Sequence, residues 1–165
     1  VALGAQILAR YALRLASGGR GMDEVADELE RVKGRVHIIA LLDTLEYLKR
    51  GGRISAAAAA VGGVFSIKPV ITIRDGAVAV IGKARGSKNG ENLLSQLIEK
   101  HGVDFTMPYV LGYTGLSDAL LQKYKADSAR LWVGYAKDLP VSIVGSVVGT
   151  HAGPGAIAVA FFGKE

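Results

Sequence analysis

Three short segments of the chain place basic or polar side chains beside glycines, which let a backbone come close to a ligand. In the first segment, Lys49, Arg50 and Arg53 surround a diglycine pair within residues 43–54. An arginine guanidinium is a planar fork that can hold a carboxylate or a phosphate. On chemistry alone the pattern favours a capped helix that ends in a glycine turn with a solvated arginine, and an anion contact at Arg53 is the alternative.

The second segment, residues 83–88, has the sequence Lys-Ala-Arg-Gly-Ser-Lys. Lys83 and Arg85 are two positions apart, so on a strand they share one face. The helix that we predict next would offer free backbone N–H groups, which favour anions. The segment predicts a contact with phosphate or with a charged partner. An edge strand whose charges prevent aggregation is an equal alternative.

The third segment, residues 149–155, carries a histidine among residues with little bulk. We predict that His151 lies in a turn between two apolar strands, where a ring nitrogen can meet a carboxylate. Thr150, Gly153 and Gly155 are then candidate ligand-binding neighbours. A lone histidine is more often structural, so both interpretations stay open. Residues 153–158 match a dinucleotide fingerprint formally, but a strand-like run follows instead of a helix, and we reject the match.

Other catalytic and metal chemistry has little support in the sequence. His37, His101 and His151 lack the spacing of metal ligands, and the chain has no cysteine. Neither a phosphate-binding loop nor a nucleophile elbow occurs. The acidic residues between positions 23 and 30 crowd one predicted helix and are expected to face solvent. We therefore predict no metal and no cofactor.

The composition predicts one globular domain, because half of the 165 residues are hydrophobic and 21% are charged. The net charge of +5 permits weak attraction to phosphate or anionic lipid. Lys and Arg form no run of five, so no nucleic-acid partner is expected. Leu3, Ile7, Tyr11 and Leu15 repeat at helical spacing, which indicates an amphipathic helix instead of a signal peptide or stable membrane insertion.

Hydrophobic periodicity and turn residues predict a mixed α/β fold. An Asp75-Gly76 pair between β-branched runs indicates a hairpin. Asp43 and Glu46 would form a capping box at the start of a short helix. The predicted helices cover residues 1–17, 23–33, 43–50, 54–61, 88–100 and 117–124, and the predicted strands cover residues 36–42, 69–73, 77–81, 109–113, 131–135, 144–150 and 156–162.

The three segments, in this order and with Ile-Lys-Pro-Val-Ile at residues 67–71, resemble the DegV family. The resemblance runs from Val1 to Glu165, and its most specific part is Gly-Gly-Arg-Ile paired with His-Ala-Gly-Pro-Gly. It implies a two-domain α/β protein that buries a long-chain fatty acid between its domains. Members of the family act as the fatty-acid-binding subunit of bacterial fatty acid kinase. They present the acyl carboxylate to a separate kinase subunit and are not themselves enzymes.

By this resemblance, residues 1–165 are a DegV-like carboxy-terminal domain, with a mixed sheet and covering helices. The chain begins without Met and opens in a helix. We therefore expect that the family's amino-terminal α/β domain is missing, together with its Ser and Thr motifs for the carboxylate. Apolar faces left by that domain would favour association, so a homo-oligomer is a further expectation. The resemblance also implies a cytoplasmic protein.

The resemblance assigns roles to individual residues. His151 matches the family histidine near the carboxylate. Arg85 matches a basic residue linked to the kinase subunit, with Lys83 beside it. Arg53 matches the diglycine arginine, as an anion or partner contact. Residues 56–64 and 141–148 are expected to line a dry acyl tunnel.

Two other function classes stay open on the sequence alone. An enzyme acting on an acyl or phosphoryl group would use His151 as acid or base, with Arg85 or Arg53 holding the phosphate. A nucleic-acid-associated regulator is suggested only by the net charge. It predicts binding that weakens steeply with added salt.

Overall fold

A six-stranded mixed sheet lies at the centre of the structure, a computed structural model that describes residues 2–55, 66–134 and 139–164. The strand order is β3-β2-β1-β6-β4-β5. Neighbouring strands run antiparallel, apart from the parallel pair β4 and β5. The strands are β1 (Val36–Leu41), β2 (Ile67–Arg74), β3 (Ala77–Arg85), β4 (Val110–Tyr113), β5 (Val141–Ile143) and β6 (Ile157–Phe162).

The first face of the sheet carries the larger core. Ile39 and Leu41 of β1 point to this face, because side chains alternate along a strand. Two helices cover it, α4 (Ser87–His101) and α5 (Ala119–Asp127), followed by a 3₁₀ turn at Ala129–Trp132. Their apolar residues bury against the strands in one continuous cluster, whose largest members are Trp132, Tyr124, Phe161, Leu94, Ile98, Leu111 and Leu121.

The second face is covered by two separate pairs of helices. The first pair, α1 (Ala2–Ser17) and α2 (Met22–Val32), packs over β4 and β6. Leu3, Ile7 and Tyr11 are buried there, which confirms the helical spacing seen in the sequence. The second pair, α3 (Glu46–Arg50) and α6 (Ser146–Ala152), lies near the ends of β1 and β6. No helix in the described ranges is long and apolar enough to cross a membrane.

The predicted hairpin is present and longer than the sequence indicated. Asp75 and Gly76 have φ angles of 51° and 76°. Positive φ at both central residues is the geometry that Asp-Gly accepts and that matches the twist of the strands. A bulge at the Val70/Ile71 register shift lets β3 continue to Arg85, beyond the predicted end at residue 81.

The predicted strand at residues 144–150 is wrong. These residues enter helix α6, and the short strand β5 precedes them. A brief run of valines has no periodicity that distinguishes a strand from a buried helix. Gly149 N–H donates to the Gly145 carbonyl, and the Thr150 hydroxyl donates to the Ser146 carbonyl, which closes the helical turns. His151 therefore lies in the last turn of a helix instead of in a turn between strands.

The predicted strand at residues 131–135 is also wrong for residues 131–134. Tyr135 lies outside the described residues. Ala129–Trp132 forms a 3₁₀ turn instead. The Ser128 hydroxyl donates to the Tyr124 carbonyl at 2.6 Å and accepts the Trp132 indole N–H at 3.0 Å. Burial of the indole with its N–H satisfied outweighs the strand preference of Leu-Trp-Val.

Two helix starts differ from the prediction. Asp43 does not cap α3, which begins at Glu46, because Asp43 forms an ion pair with Lys68. The Thr44 hydroxyl accepts the Glu46 backbone N–H instead, at 3.2 Å. The helix expected at residues 117–124 is found at Ala119–Asp127. In the alanine-rich helix expected at residues 54–61, residues 54 and 55 are not helical, and residues 56–61 lie outside the described residues. Residues 56–64, which were expected to line the acyl tunnel, also lie outside them.

Candidate functional site

An apolar groove crosses the second face of the sheet, between the first turn of α1 and helix α6. Strands β1, β2 and β6 form its floor. Its volume is about 90 Å³. Twelve of the thirteen lining side chains are apolar, and the set comprises Ala2, Leu3, Ile38, Ala40, Leu42, Ile71, Ile73, Thr114, Val144, Val148, Ala152, Ala156 and Ala158.

The groove exists because the two faces of β1 and β6 carry side chains of different size. On the first face, Ile39 and Val159 are directly paired and fully buried. On the second face, the next pair is Ala40 and Ala158. Two methyl groups fill far less of the space under the helices than two branched side chains would. The alternation of large and small residues therefore gives a solid core on one face and a channel on the other.

Helix α1 closes one end of the groove by packing onto the sheet through glycines. A Cβ at Gly4 would lie 2.7 Å from the Ile38 Cδ1 atom, and one at Gly112 would lie 3.0 Å from the Leu3 Cδ2 atom. Such distances are below van der Waals contact, so a side chain at either position would have to displace the end of the Ile38 or Leu3 side chain. Ile38 and Leu3 thus form a tight wall at this end.

Thr114 is the polar residue of the groove lining, and it is 4% exposed. Its hydroxyl donates to the Gly153 carbonyl at 2.5 Å and accepts the Ala156 N–H at 2.9 Å. Its own N–H donates to the Ala156 carbonyl, and its carbonyl accepts the Gly155 N–H. Thr114 therefore holds the turn that follows His151. Thr114 is not among the site residues predicted from the sequence, although it stands between an apolar strand and a glycine.

Helices α3 and α6 interlock through two rings and two glycines. The Nδ1–Cε1 edge of the His151 imidazole lies against Gly51, where a Cβ would be 2.7 Å from Cε1. The Tyr47 ring lies against Gly153, where a Cβ would be 2.8 Å from Cε2. Among the described residues the His151 imidazole makes no hydrogen bond, and it packs against Gly51.

The first and third sequence segments meet at Gly51. Arg53 is exposed, and its Nη1 donates to the Gly51 carbonyl at 2.8 Å. Arg53 and His151 therefore both contact the same residue, from different sides. Neither of them lines the apolar groove, but Ala152, the residue after His151, does. Thr150 is exposed, and its hydroxyl is used within α6.

The second segment lies apart from this meeting point. Lys83 and Arg85 are exposed on the edge strand β3, paired in register with Pro69 and Ile67. Gly82, which precedes Lys83, packs on Leu93 of α4 on the first face. Because side chains alternate along a strand, Lys83 and Arg85 therefore point to the second face. In the part of the chain that the structure describes, neither residue forms an ion pair.

The other two histidines form a pair on the first face, away from the groove. The His37 and His101 ring centroids are 4.5 Å apart. Burial, and then the neighbouring His101, hold the pKa of His37 below its usual value. Within the described ranges no group of three or more His, Asp or Glu side chains could hold a metal ion.

Comparison with known families identifies the chain. The family model described as "Uncharacterised protein, DegV family" matches residues 1–164. The chain belongs to the DegV family. A DegV domain-containing protein of Clostridium perfringens is 32% identical over 170 residues, which cover 98% of this chain and 55% of that protein. The chain thus spans about half the length of the curated relatives it matches.

Solved DegV structures share the fold. One, titled "Fatty Acid Binding of a DegV family Protein from Thermus thermophilus", is 27% identical with a TM-score of 0.77, covering 98% of this chain and 57% of that one. Another is the Streptococcus pneumoniae fatty acid kinase (Fak) B3 protein loaded with linoleic acid, 18% identical with a TM-score of 0.79, covering 97% and 56%. These likenesses confirm the mixed α/β fold expected from the sequence.

Proposed function

We propose that this DegV-family chain binds a long-chain fatty acid, with the acyl chain in the groove and the carboxylate beside His151. The observation that carries the proposal is an apolar groove that ends next to a histidine without a hydrogen-bond partner among the described residues. An acyl chain needs a dry channel, and a carboxylate needs donors at its mouth. The fatty acid binding named for the Thermus thermophilus relative supports it.

The size of the groove indicates how much of the ligand these residues cover. Its volume of about 90 Å³ is well below the roughly 300–1,000 Å³ of enclosed ligand sites. We therefore propose that the groove forms one wall for the acyl chain and that protein beyond the described residues forms the other. Each methylene buried between the two walls contributes about 0.8 kcal/mol to binding.

The carboxylate end of the ligand would lie at the diglycine turn. His151 and Arg53 both contact Gly51, so they approach this point from α6 and from the turn after α3. Arg53 uses one of its five N–H donors on the Gly51 carbonyl, and the remaining donors can reach an anion. Thr150, Gly153 and Gly155 would shape the same mouth, with little bulk to obstruct a head group.

The protein would act as a carrier that presents the carboxylate to a separate kinase subunit in the cytoplasm. Lys83 and Arg85 support this role, because two exposed cations on one face of an edge strand suit a charged partner. The fatty acid kinase B3 protein among the structural relatives agrees with it. Under this proposal the chain is a binding subunit, and the phosphoryl chemistry belongs to the partner.

The test uses the full-length protein. Mass spectrometry of a solvent extract is expected to detect a co-purified fatty acid, and titration should show tighter binding of a fatty acid than of the alcohol of equal length. His151→Ala should narrow that preference. Failure to bind either lipid contradicts the proposal. Acyl-phosphate turnover that is lost in His151→Ala, while binding survives, would favour the enzyme alternative instead.

A further inference from the structure

The backbone conformation of Gly51 does not by itself require a glycine. Its φ and ψ angles are −77° and −1°, which any residue can adopt. The main conflict that a side chain would meet is with His151, since a Cβ there would overlap Nδ1 and lie 2.7 Å from Cε1. The Tyr47 carbonyl oxygen would lie 3.2 Å away. The neighbouring Gly52 shows the reverse case. Its φ is +68°, and a Cβ there would have nothing within 4 Å.

The turn that carries Gly51 is itself held firmly. Gly51 N–H donates to the Tyr47 carbonyl at 2.9 Å, and Arg53 N–H donates to the Leu48 carbonyl at 2.8 Å. The Gly51 carbonyl accepts Arg53 Nη1. On the other side, the Tyr47 ring packs on Gly153, which follows α6 directly. The Tyr47 ring of α3 thus packs on the glycine after α6, and the His151 ring of α6 packs on the glycine after α3. The backbone at Gly51 therefore has little freedom to move away from His151.

Nδ1 and Cε1 are the imidazole atoms nearest to a Cβ built at Gly51, so Nε2 lies farther from this contact than they do. Among the described residues the imidazole forms no hydrogen bond, so its packing against Gly51 is the contact from which we infer its orientation. A ring displaced from this contact would present a different edge to a ligand.

We propose that Gly51 is a positioning residue, which fixes the His151 ring so that Nε2 is the nitrogen available to the fatty-acid carboxylate. This inference rests on the proposed function for its ligand, and on the packing of α3 against α6 for its geometry. It assigns the diglycine turn a role that is separate from the charge of Arg53. The first glycine makes room for the histidine, and the second permits the backbone to turn.

The test compares Gly51→Ala with Gly52→Ala, alone and in a His151→Ala background, in the full-length protein. Gly52→Ala strains the backbone without touching the ring, so it controls for general destabilisation. We expect Gly51→Ala to shift the His151 ring resonances in NMR spectra of the free protein. We also expect it to weaken fatty-acid binding about tenfold, the scale of one hydrogen bond to a charged group, with little effect on the matching alcohol.

The double variant gives the sharpest outcome. Once His151 is alanine, Gly51→Ala has no ring to displace and should add no further loss of affinity. Equal losses for acid and alcohol, an unmoved His151 resonance, or the same loss in the His151→Ala background would each overturn the proposal. If the wild-type protein binds no fatty acid, the proposed function fails. The His151 resonances of Gly51→Ala and Gly52→Ala still decide whether Gly51 sets the ring.

Discussion

The Thr114 hydroxyl donates a hydrogen bond to the Gly153 carbonyl at 2.5 Å, and so joins the end of β4 to the turn after α6. The same oxygen accepts the N–H of Ala156, the residue immediately before β6. All three groups are buried. The Thr114 hydroxyl therefore gives two buried backbone groups a hydrogen-bond partner at the point where the groove meets helix α6.

Replacing Thr114 by valine keeps the shape of the side chain and removes both hydrogen bonds. We expect the free energy of unfolding to fall by about 2–4 kcal/mol, because a buried donor and a buried acceptor lose their partners. Thr114→Ser retains the hydroxyl and should lose only about 1 kcal/mol for the missing methyl group. Urea denaturation of both variants measures the difference, and a valine variant as stable as the serine variant would contradict it.

A larger side chain in the Ala40–Ala158 pair should block the groove. Ala158→Leu adds three carbons to a partly exposed position on the groove floor, so we expect fatty-acid affinity to fall at least about tenfold. Ala77→Leu makes the same change at an exposed position on β3 and serves as the control. Fluorescent fatty-acid displacement measures both. Unchanged affinity in Ala158→Leu would place the acyl chain elsewhere.

Charge reversal on β3 should separate lipid binding from partner binding. Arg85→Glu is expected to reduce kinase-dependent phosphorylation of the bound fatty acid and to leave fatty-acid affinity within about twofold, because rim charges act mainly on association. Arg74→Glu reverses an exposed charge on the neighbouring strand and is the matched control. If Arg85→Glu and Arg74→Glu reduce phosphorylation equally, the prediction of a specific role for Arg85 is wrong.

Acid should destabilise the fold through His37. Burial, and then His101, lower the pKa of His37 in the folded state, so below about pH 6.5 the unfolded chain binds the proton more readily. The stability present above that pH is lost as the pH falls toward the folded pKa. We expect His37→Gln to reduce the loss of unfolding free energy between pH 7.5 and pH 5. Urea denaturation at both pH values checks this, and an unchanged loss would contradict it.

The elements that the sequence predicted correctly are those with strong local signals. Helical spacing in α1 and the Asp75-Gly76 turn each determine structure within a few residues, and the structure has both. The order of the glycine-rich segments led to the DegV family, which the comparison confirms. The groove floor was not foreseen, because the pairing of Ala40 with Ala158 joins residues far apart in the chain.

The errors in the sequence analysis concern segments whose structure depends on tertiary contacts. Residues 146–152 form a helix that packs on α3 through Gly51 and Gly153, a contact that no local pattern specifies. Residues 129–132 form a 3₁₀ turn around the bond between Ser128 and the Trp132 indole. The glycine neighbours of His151 predict its role in the sequence, but its contact with Gly51 cannot be inferred from spacing.

In β1 and β6, alternate residues have different roles, because one face of each strand builds the core and the other borders the groove. Ile39, Leu41 and Val159 build the core, so substitutions there affect whether the chain folds. Ala40 and Ala158 border a channel, so substitutions there change what fits against the sheet. The shape of the groove can therefore change through every second residue while the rest of each strand maintains the fold.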